Sequence, residues 1–489
     1  MTGITPADFA AILPELVLFG GALLVLMLDA FAPKLTAKLG VLVASLFIFV
    51  ALLMLQQTPL SGVKAFGVLL NDGFSFYIAF LVLISAFLVA MLSWGYLEAR
   101  SVPVGEFMAG LLVASGGMIL MSRSTNLIVI FVALEILSIA LYMMIAYLRT
   151  EEDSTEAGLK YFLLGAYASA FFVFGAVLVY GVTGSMSVTA TPDILASPMG
   201  VVGLILLITG MGFKISVVPF HLWTADVYQG APTPVTAFLS SGSKVAAVAA
   251  LMRIAYPAIG IDAEVWRQIW PVLAALTMVV GNIIALVQED VKRILAYSSI
   301  AHVGFVLMAL AGGATVGVIG AEGALFYLLT YILATIGSFG VIAAMPGDER
   351  GRVDLDYVRG LGKSHPWLAG MMALFLLSLS GLPPLVGFTG KLLAFRAAID
   401  AQMYYLAAFA ALNSALAVYY YLRIIVRMYM EPREEPLRFA VPQMIYPALV
   451  VACLGVVLLG ILPENALEMA HQSARAMVIA SISLSLIHI

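Results

Sequence analysis

Fourteen apolar stretches, each close to the ~20 residues that a helix needs to cross a bilayer, follow one another from Ala10–Phe31 to Val441–Ile461. Inside hydrocarbon every backbone N–H and C=O must be satisfied by the segment itself or by a closed barrel, so runs of this length form helices. The composition agrees. Hydrophobic residues make up 63% of the 489, charged residues 11%, and mean hydropathy is +1.06. A soluble globule of that balance would expose a large apolar surface to water. The expected fold is an all-α polytopic membrane protein of about 14 transmembrane helices.

The basic residues give this bundle a direction. Lys34, Lys38, Arg100, Arg149, Lys160, Lys292, Arg293, Arg350, Arg352, Arg423 and Arg427 fall in odd-numbered loops or beside them, and far fewer fall in even-numbered ones. Odd loops are therefore expected in the cytoplasm of a bacterial inner membrane, with both termini on the outer side. Met1–Ala10 lacks a positively charged n-region, so no cleavable leader is expected.

Many chemistries have no home here. A single cysteine, Cys453, rules out an iron–sulfur cluster or a cysteine-rich zinc site within the chain. No HExxH, GxGxxG or GxxxxGK[ST] motif occurs. No cofactor or metal site is expected in this chain. The net charge of −4 is spread thinly over short loops, and nucleic acid is not an expected partner.

The charges inside the spans are more informative. Each costs about 2.5–3.5 kcal/mol at a helix centre and is functional by default. Lys214 lies in the seventh span, followed by Pro219, which breaks the helix, and by His221. Lys391 lies in the twelfth, after the break at Gly381-Leu-Pro-Pro384. Glu135 and Lys244 are central in the fifth and eighth spans, and His302 lies in the tenth. A break paired with a lysine, repeated five spans later in the opposite orientation, predicts two inverted five-helix repeats. The expected divisions are 1–100, with three helices; 101–256, the first repeat; 257–430, the second; and 431–489, the fourteenth helix and a tail. Glu135 is expected to pair with Lys214, while Lys244 and Lys391 have no acidic partner in their own spans and can exchange protons. A fixed ion pair stapling the bundle is the alternative for the first two. Glu15, Glu106 and Glu322, near helix ends, read as solvated. Asp226, Glu289 and Asp290 read as loop residues, and Tyr419-Tyr420-Tyr421 reads as an interfacial aromatic belt.

Three stretches carry a resemblance. They are Phe213-Lys-Ile-Ser-Val-Val-Pro-Phe-His-Leu-Trp-Thr-Ala-Asp-Val-Tyr-Gln-Gly-Ala-Pro-Thr-Pro-Val235, Gln288-Glu-Asp-Val-Lys-Arg-Ile-Leu-Ala-Tyr-Ser-Ser-Ile-Ala-His-Val-Gly-Phe305 and Gly381-Leu-Pro-Pro-Leu-Val-Gly-Phe-Thr-Gly-Lys391. Together they resemble the antiporter-like membrane subunits of respiratory complex I, the NADH–quinone oxidoreductase. The resemblance implies half-closed channels meeting on a central polar axis, and a proton-translocating subunit without a redox centre of its own. NADH, FMN, iron–sulfur clusters and quinone would then belong to partner subunits, and further antiporter-like subunits would be neighbours in the bilayer. It also implies roles: Glu135 modulates Lys214, and Lys214, Lys244 and Lys391 relay protons, with His221 and His302 as shuttles. Ala225 departs from the family pattern, which usually has proline there, and would loosen a loop turn. A cation/proton antiporter subunit, a non-pumping scaffold, or a subunit of another energy-converting complex such as a membrane-bound hydrogenase remain alternatives. The terminal Leu484-Ser-Leu-Ile-His-Ile489 resembles the translated end of a sequencing library, so His488 carries no weight.

Overall fold

The structure, a computed structural model, describes residues 5–58, 60, 64–100, 102–188, 194, 197–259, 263–348 and 350–486. It is built almost wholly of helices. The first group is α1 (Pro6–Ala11), α2 (Leu13–Phe31), α3 (Pro33–Gln57), α4 (Gly73–Ala99), α5 (Gly105–Arg123), α6 (Leu127–Ile145) and α7 (Glu152–Thr183). Then come α8 (Pro198–Ile215), α9 (Thr224–Gly230), α10 (Thr233–Phe238) and, after one turn of π-helix at Leu239–Ser243, α11 (Lys244–Ile259). The remainder is α12 (Ala263–Val287), α13 (Val291–Val316), α14 (Val318–Ala343), α15 (Leu361–Ser364), α16 (Pro366–Ser380), α17 (Val386–Asp400), α18 (Tyr404–Tyr429), α19 (Ile445–Ile461) and α20 (Glu464–Leu486). Among the described residues the strands form one small hairpin, Lys64–Ala65 against Leu69–Leu70, tied to α1 by Phe66 N–H donating to Asp8.

Local chemistry sets the helix ends. Asp72, Asn126 and Asp290 cap α4, α6 and α13 by accepting backbone N–H bonds in the first turn. Proline stands in the first turn of α8 and α16, where its missing N–H costs nothing. Gly184 and Gly381 close α7 and α16 in the left-handed conformation that a side chain would disfavour.

Among the described residues twelve helices are long and apolar enough to cross a membrane, or thirteen if α19 and α20 count as one bent span. Fourteen were expected, and the difference has two causes. The twelfth stretch is divided at Gly381–Leu385 into α16 and α17, each too short to cross alone. The fourteenth, α19, turns by 85° into α20, where a tail was expected. Ala466, Ala470, Ala474 and Met477 make a buried stripe on α20, which packs on α4 and α14. The terminal hexapeptide falls partly beyond this helix, and residues 487–489, with His488 among them, lie outside the described residues.

The spanning segments are buried unequally. Helices α10 to α11 and α14 are wholly enclosed and α13 nearly so, while α2, α3, α7 and α18 leave two thirds of their span facing outward. The enclosed helices hold Lys244 and His302, so titratable side chains lie in the most protected part of the molecule.

Candidate functional site: a buried polar axis

Lys214 sits on the last turn of α8. Its ammonium donates to the Tyr161 hydroxyl at 3.1 Å and lies 4.7 Å from the centre of that ring and 5.7 Å from that of Tyr142. Glu135, on α6, accepts a short hydrogen bond from Ser169 of α7. The expected Glu135–Lys214 ion pair is not made among the described residues. The reason is physical: Tyr161 of α7 occupies the ammonium with a hydroxyl and an aromatic face, and Ser169 occupies the carboxylate.

Beyond Lys214 the chain leaves the helix at Ser216, which adopts a left-handed backbone at φ +66°. Trp223 Nε1 returns a hydrogen bond to the Phe213 carbonyl at 2.9 Å, and Thr224 donates to Ser216 Oγ at 2.8 Å. The loop is therefore fixed by side chains where the helical ladder stops. Ring contacts lead on through Tyr142–Tyr161, Tyr161–Trp223 and Trp223–Tyr228 at 5.3, 4.7 and 6.1 Å between centroids. Ala225 is part of helix α9 rather than of a loop turn.

Tyr228 brings the path to Lys244, whose ammonium lies 5.8 Å from its ring. Lys244 opens α11 directly after the π-turn. It donates to Ser299 Oγ at 2.8 Å and to the Ser299 carbonyl at 3.3 Å, with no carboxylate in reach among the described residues. One turn along the same helix α13, His302 has both ring nitrogens engaged: Nδ1 with Tyr327 at 2.6 Å and Nε2 with Tyr421 at 2.9 Å. Another turn on, Phe305 stacks on Tyr327 and lies 5.2 Å from the Lys391 ammonium. Lys391 donates to the Ser380 carbonyl at 2.8 Å and to Ser414 at 3.0 Å. The break before α17 frees that carbonyl to receive it.

Lys214, Lys244, His302 and Lys391 thus lie along one buried axis, and Glu135 flanks it. His221, the other expected shuttle, is half-buried and makes no hydrogen bond to these groups among the described residues. Three sequence readings are corrected. Tyr420 and Tyr421 are fully buried and hydrogen-bonded, so Tyr419 alone of the three faces outward as a belt residue would. Glu15 is buried against Arg123 at 3.0 Å because α1 and α5 cover it. Glu322 is enclosed enough to hold His471 of α20 at 2.8 Å, whereas Glu106 is half exposed, as expected.

Helix α9, which runs between the Lys214 and Lys244 sites, also carries a charged cluster absent from the expectations. Asp226, on α9, bridges Lys160 of α7 at 2.9 Å and Arg293 of α13 at 2.7 Å. Partial burial would raise its carboxyl pKa, but hydrogen bonds from these two cations outweigh that and hold it below the usual range. The buried Lys292 ammonium grips the Gln229 and Ala231 carbonyls, both at 2.8 Å, and so pins the far end of α9.

Comparison with known proteins agrees with this architecture. The family model described as NADH:quinone oxidoreductase/Mrp antiporter, transmembrane, matches residues 124–417. The chain is 39% identical to the NADH-quinone oxidoreductase subunit N of Myxococcus xanthus, over 97% of this chain and 99% of that one. It is 42% identical to the protein of the same name from Trichlorobacter lovleyi, over 83% and 84%. Among solved structures, a chain of respiratory complex I from Thermus thermophilus with bound aureothin superposes with a TM-score of 0.80 at 37% identity, covering 93% of this chain and 98% of that one.

Proposed function

The chain belongs to the NADH:quinone oxidoreductase/Mrp antiporter transmembrane family, and from that premise we propose that it is a proton-translocating membrane subunit of an NADH–quinone oxidoreductase. Electrons from NADH move to quinone through FMN and iron–sulfur clusters in partner subunits, and this chain converts their passage into proton movement. Neighbouring antiporter-like subunits and the lipid bilayer surround it, with odd-numbered loops in the cytoplasm and both termini outside.

The observation that carries this reading is the axis itself. Lys244 and Lys391 are buried and bonded to serine hydroxyls and carbonyls rather than to carboxylates. A lysine so placed has no fixed countercharge and can hold or release a proton. Groups able both to donate and to accept lie between the two lysines: Ser299, His302 and Tyr327. In this reading Glu135 and Lys214 form the input. Movement of the Lys214 ammonium between Tyr161 and the Glu135 carboxylate changes the field at Lys244, which passes its proton through His302 toward Lys391 and the outside. Each elementary charge moved against 100 mV costs about 2.3 kcal/mol, within reach of one rearranged charge pair in a low-dielectric interior. The two helix breaks, each beside a lysine, support an inverted pair of five-helix halves.

The test is purification and pumping together. The native chain should co-purify with redox subunits, and vesicles should acidify on NADH addition without a sodium requirement. Lys214→Ala should abolish most pumping in assembled complex. Sodium-dependent flux without redox partners would instead mark a cation antiporter.

A further inference from the structure

A second row of polar groups leaves the axis at His302 and runs between α12, α13 and α18. Tyr421 bonds His302 Nε2 at 2.9 Å and also makes a short hydrogen bond with Ser298. Its neighbour Tyr420, with ring centroid 4.6 Å away, donates to Asn282 Oδ1 at 3.1 Å. Asn282 donates to Asn413 Oδ1 at 3.1 Å, and Asn413 donates to the Phe409 carbonyl at 3.0 Å. Ser298, Tyr420, Tyr421, Asn282 and Asn413 are each at least 97% buried. None is needed to connect Lys244, His302 and Lys391.

The bonding capacities of the row are restrictive. A neutral imidazole donates from one nitrogen and accepts at the other, and a hydroxyl has one proton to give. Along Ser298–Tyr421–His302–Tyr327 two neutral arrangements of opposite sense satisfy every contact. In one, Ser298 donates to Tyr421, Tyr421 to Nε2, and Nδ1–H to Tyr327. In the other every bond points the opposite way. A protonated His302 donates to both tyrosines, and Tyr421 then donates to Ser298. All three states keep their hydrogen bonds, so His302 can gain a proton on one nitrogen and lose one from the other without leaving a buried polar group unpaired. One proton arrives at Nε2 through Tyr421 and one departs from Nδ1 through Tyr327, which leaves the neutral ring protonated on Nε2. The start is restored when a flip of the imidazole about Cβ–Cγ, returning it to the Nδ1–H tautomer, accompanies reversal of the hydroxyls.

We propose that Tyr421 and Ser298 form a side branch of the proton path, delivering protons to His302 from the end of α13 that carries Lys292 and Arg293. The direction follows from the helices. Ser298 is seven residues into α13, Asn282 lies five residues before the end of α12, and Tyr421 lies eight before the end of α18. All three are displaced from mid-span toward the same side. On that side Arg423 holds the Leu286 and Gln288 carbonyls, closing the branch with a cation. The Asn282–Asn413 pair links α12 to α18 and keeps Tyr420 beside Tyr421. Tyr421 and Ser298 handle the proton; Tyr420, Asn282 and Asn413 are positioning residues.

This inference rests on the proton-pumping reading above, and the experiment separates the two. Whole complex carrying Tyr421→Phe, Ser298→Ala or Ser298→Thr is placed in vesicles, and protons pumped per NADH oxidised are measured beside Lys244→Ala. The expected result is a loss of protons per NADH in Tyr421→Phe and Ser298→Ala, at unchanged subunit content, and recovery in Ser298→Thr, which restores the hydroxyl. A merely structural role would lower assembly and NADH oxidation together and leave their ratio to pumping intact. Should Tyr421→Phe fail to assemble, Ser298→Ala and Ser298→Thr decide alone. An unchanged ratio in Ser298→Ala, with Lys244→Ala defective, overturns the branch. An unchanged ratio in Lys244→Ala as well overturns the pumping reading on which it rests.

Discussion

Lys391 illustrates how narrowly single residues define the axis. Its side chain passes over Gly381, whose φ is +85° and where an added Cβ would stand 2.7 Å from Lys391 Cδ. Gly381→Ala would strain the backbone by about 1–2 kcal/mol and push the ammonium off the Ser380 carbonyl. The expected outcome is slower NADH-driven pumping with a lower thermal midpoint of the purified complex; wild-type values for both would contradict it. At this scale the sequence was readable where chemistry is local. A lysine in the middle of an apolar run has little water to reach, and Lys214, Lys244 and Lys391 are all buried, while Glu135 is partly so. What the sequence could not show is the partner brought by another helix. Tyr161 of α7 takes the Lys214 ammonium and Ser169 the Glu135 carboxylate, and nothing near either charged residue announces them. The tyrosine run was legible in part. Successive residues on a helix point about 100° apart, so three adjacent tyrosines cannot all face lipid, and two turn inward.

Helices α9 and α11 show how elements hold the lysines in place. Helix α9 presents Trp223 and Tyr228 near its two ends to the Lys214 and Lys244 sites, and Asp226 clamps it to α7 and α13. The folded pKa of Asp226 is depressed, so its contribution to stability is present above the ordinary carboxylate value and is lost as pH falls through the folded one. Asp226→Asn should therefore lower the thermal midpoint near neutral pH, and the gap to wild type should close on acidification below about pH 4. A gap that persists at low pH would count against the clamp. Helix α11 carries Arg253, which binds Asp72 at 2.7 Å and Ser75 at 2.9 Å, both almost fully buried. Arg253→Ala would strand a buried carboxylate at a cost of about 3–5 kcal/mol, measurable as reduced recovery of intact complex. Intact recovery would mean the pair is dispensable. The helix count was nearly legible because span length is set by the bilayer. The helical tail was not, because its charged residues masked the alanine stripe that docks α20.

Across the whole molecule, burial and polarity coincide where a soluble protein would keep them apart. The most enclosed helices carry Lys244, Ser299, His302 and Tyr327, while α2, α3, α7 and α18 leave much of their length unburied. Two buried ion pairs, Glu15–Arg123 and Asp72–Arg253, tie α2 to α5 and α4 to α11, and Arg253 also donates to the Ser122 carbonyl of α5. In the proposed reading these pairs hold the scaffold, while Lys244 and Lys391, which meet no carboxylate among the described residues, handle the proton. The central claim is that Lys244 transfers a proton rather than holding helices together. The most direct measurement is the number of protons pumped per NADH oxidised by assembled complex carrying Lys244→Ala, beside Lys244→Arg, which keeps the charge but does not give up its proton. Both variants should assemble and lose most of the coupled pumping. Normal pumping in Lys244→Arg would mean that a fixed charge suffices, and normal pumping in both would contradict the account.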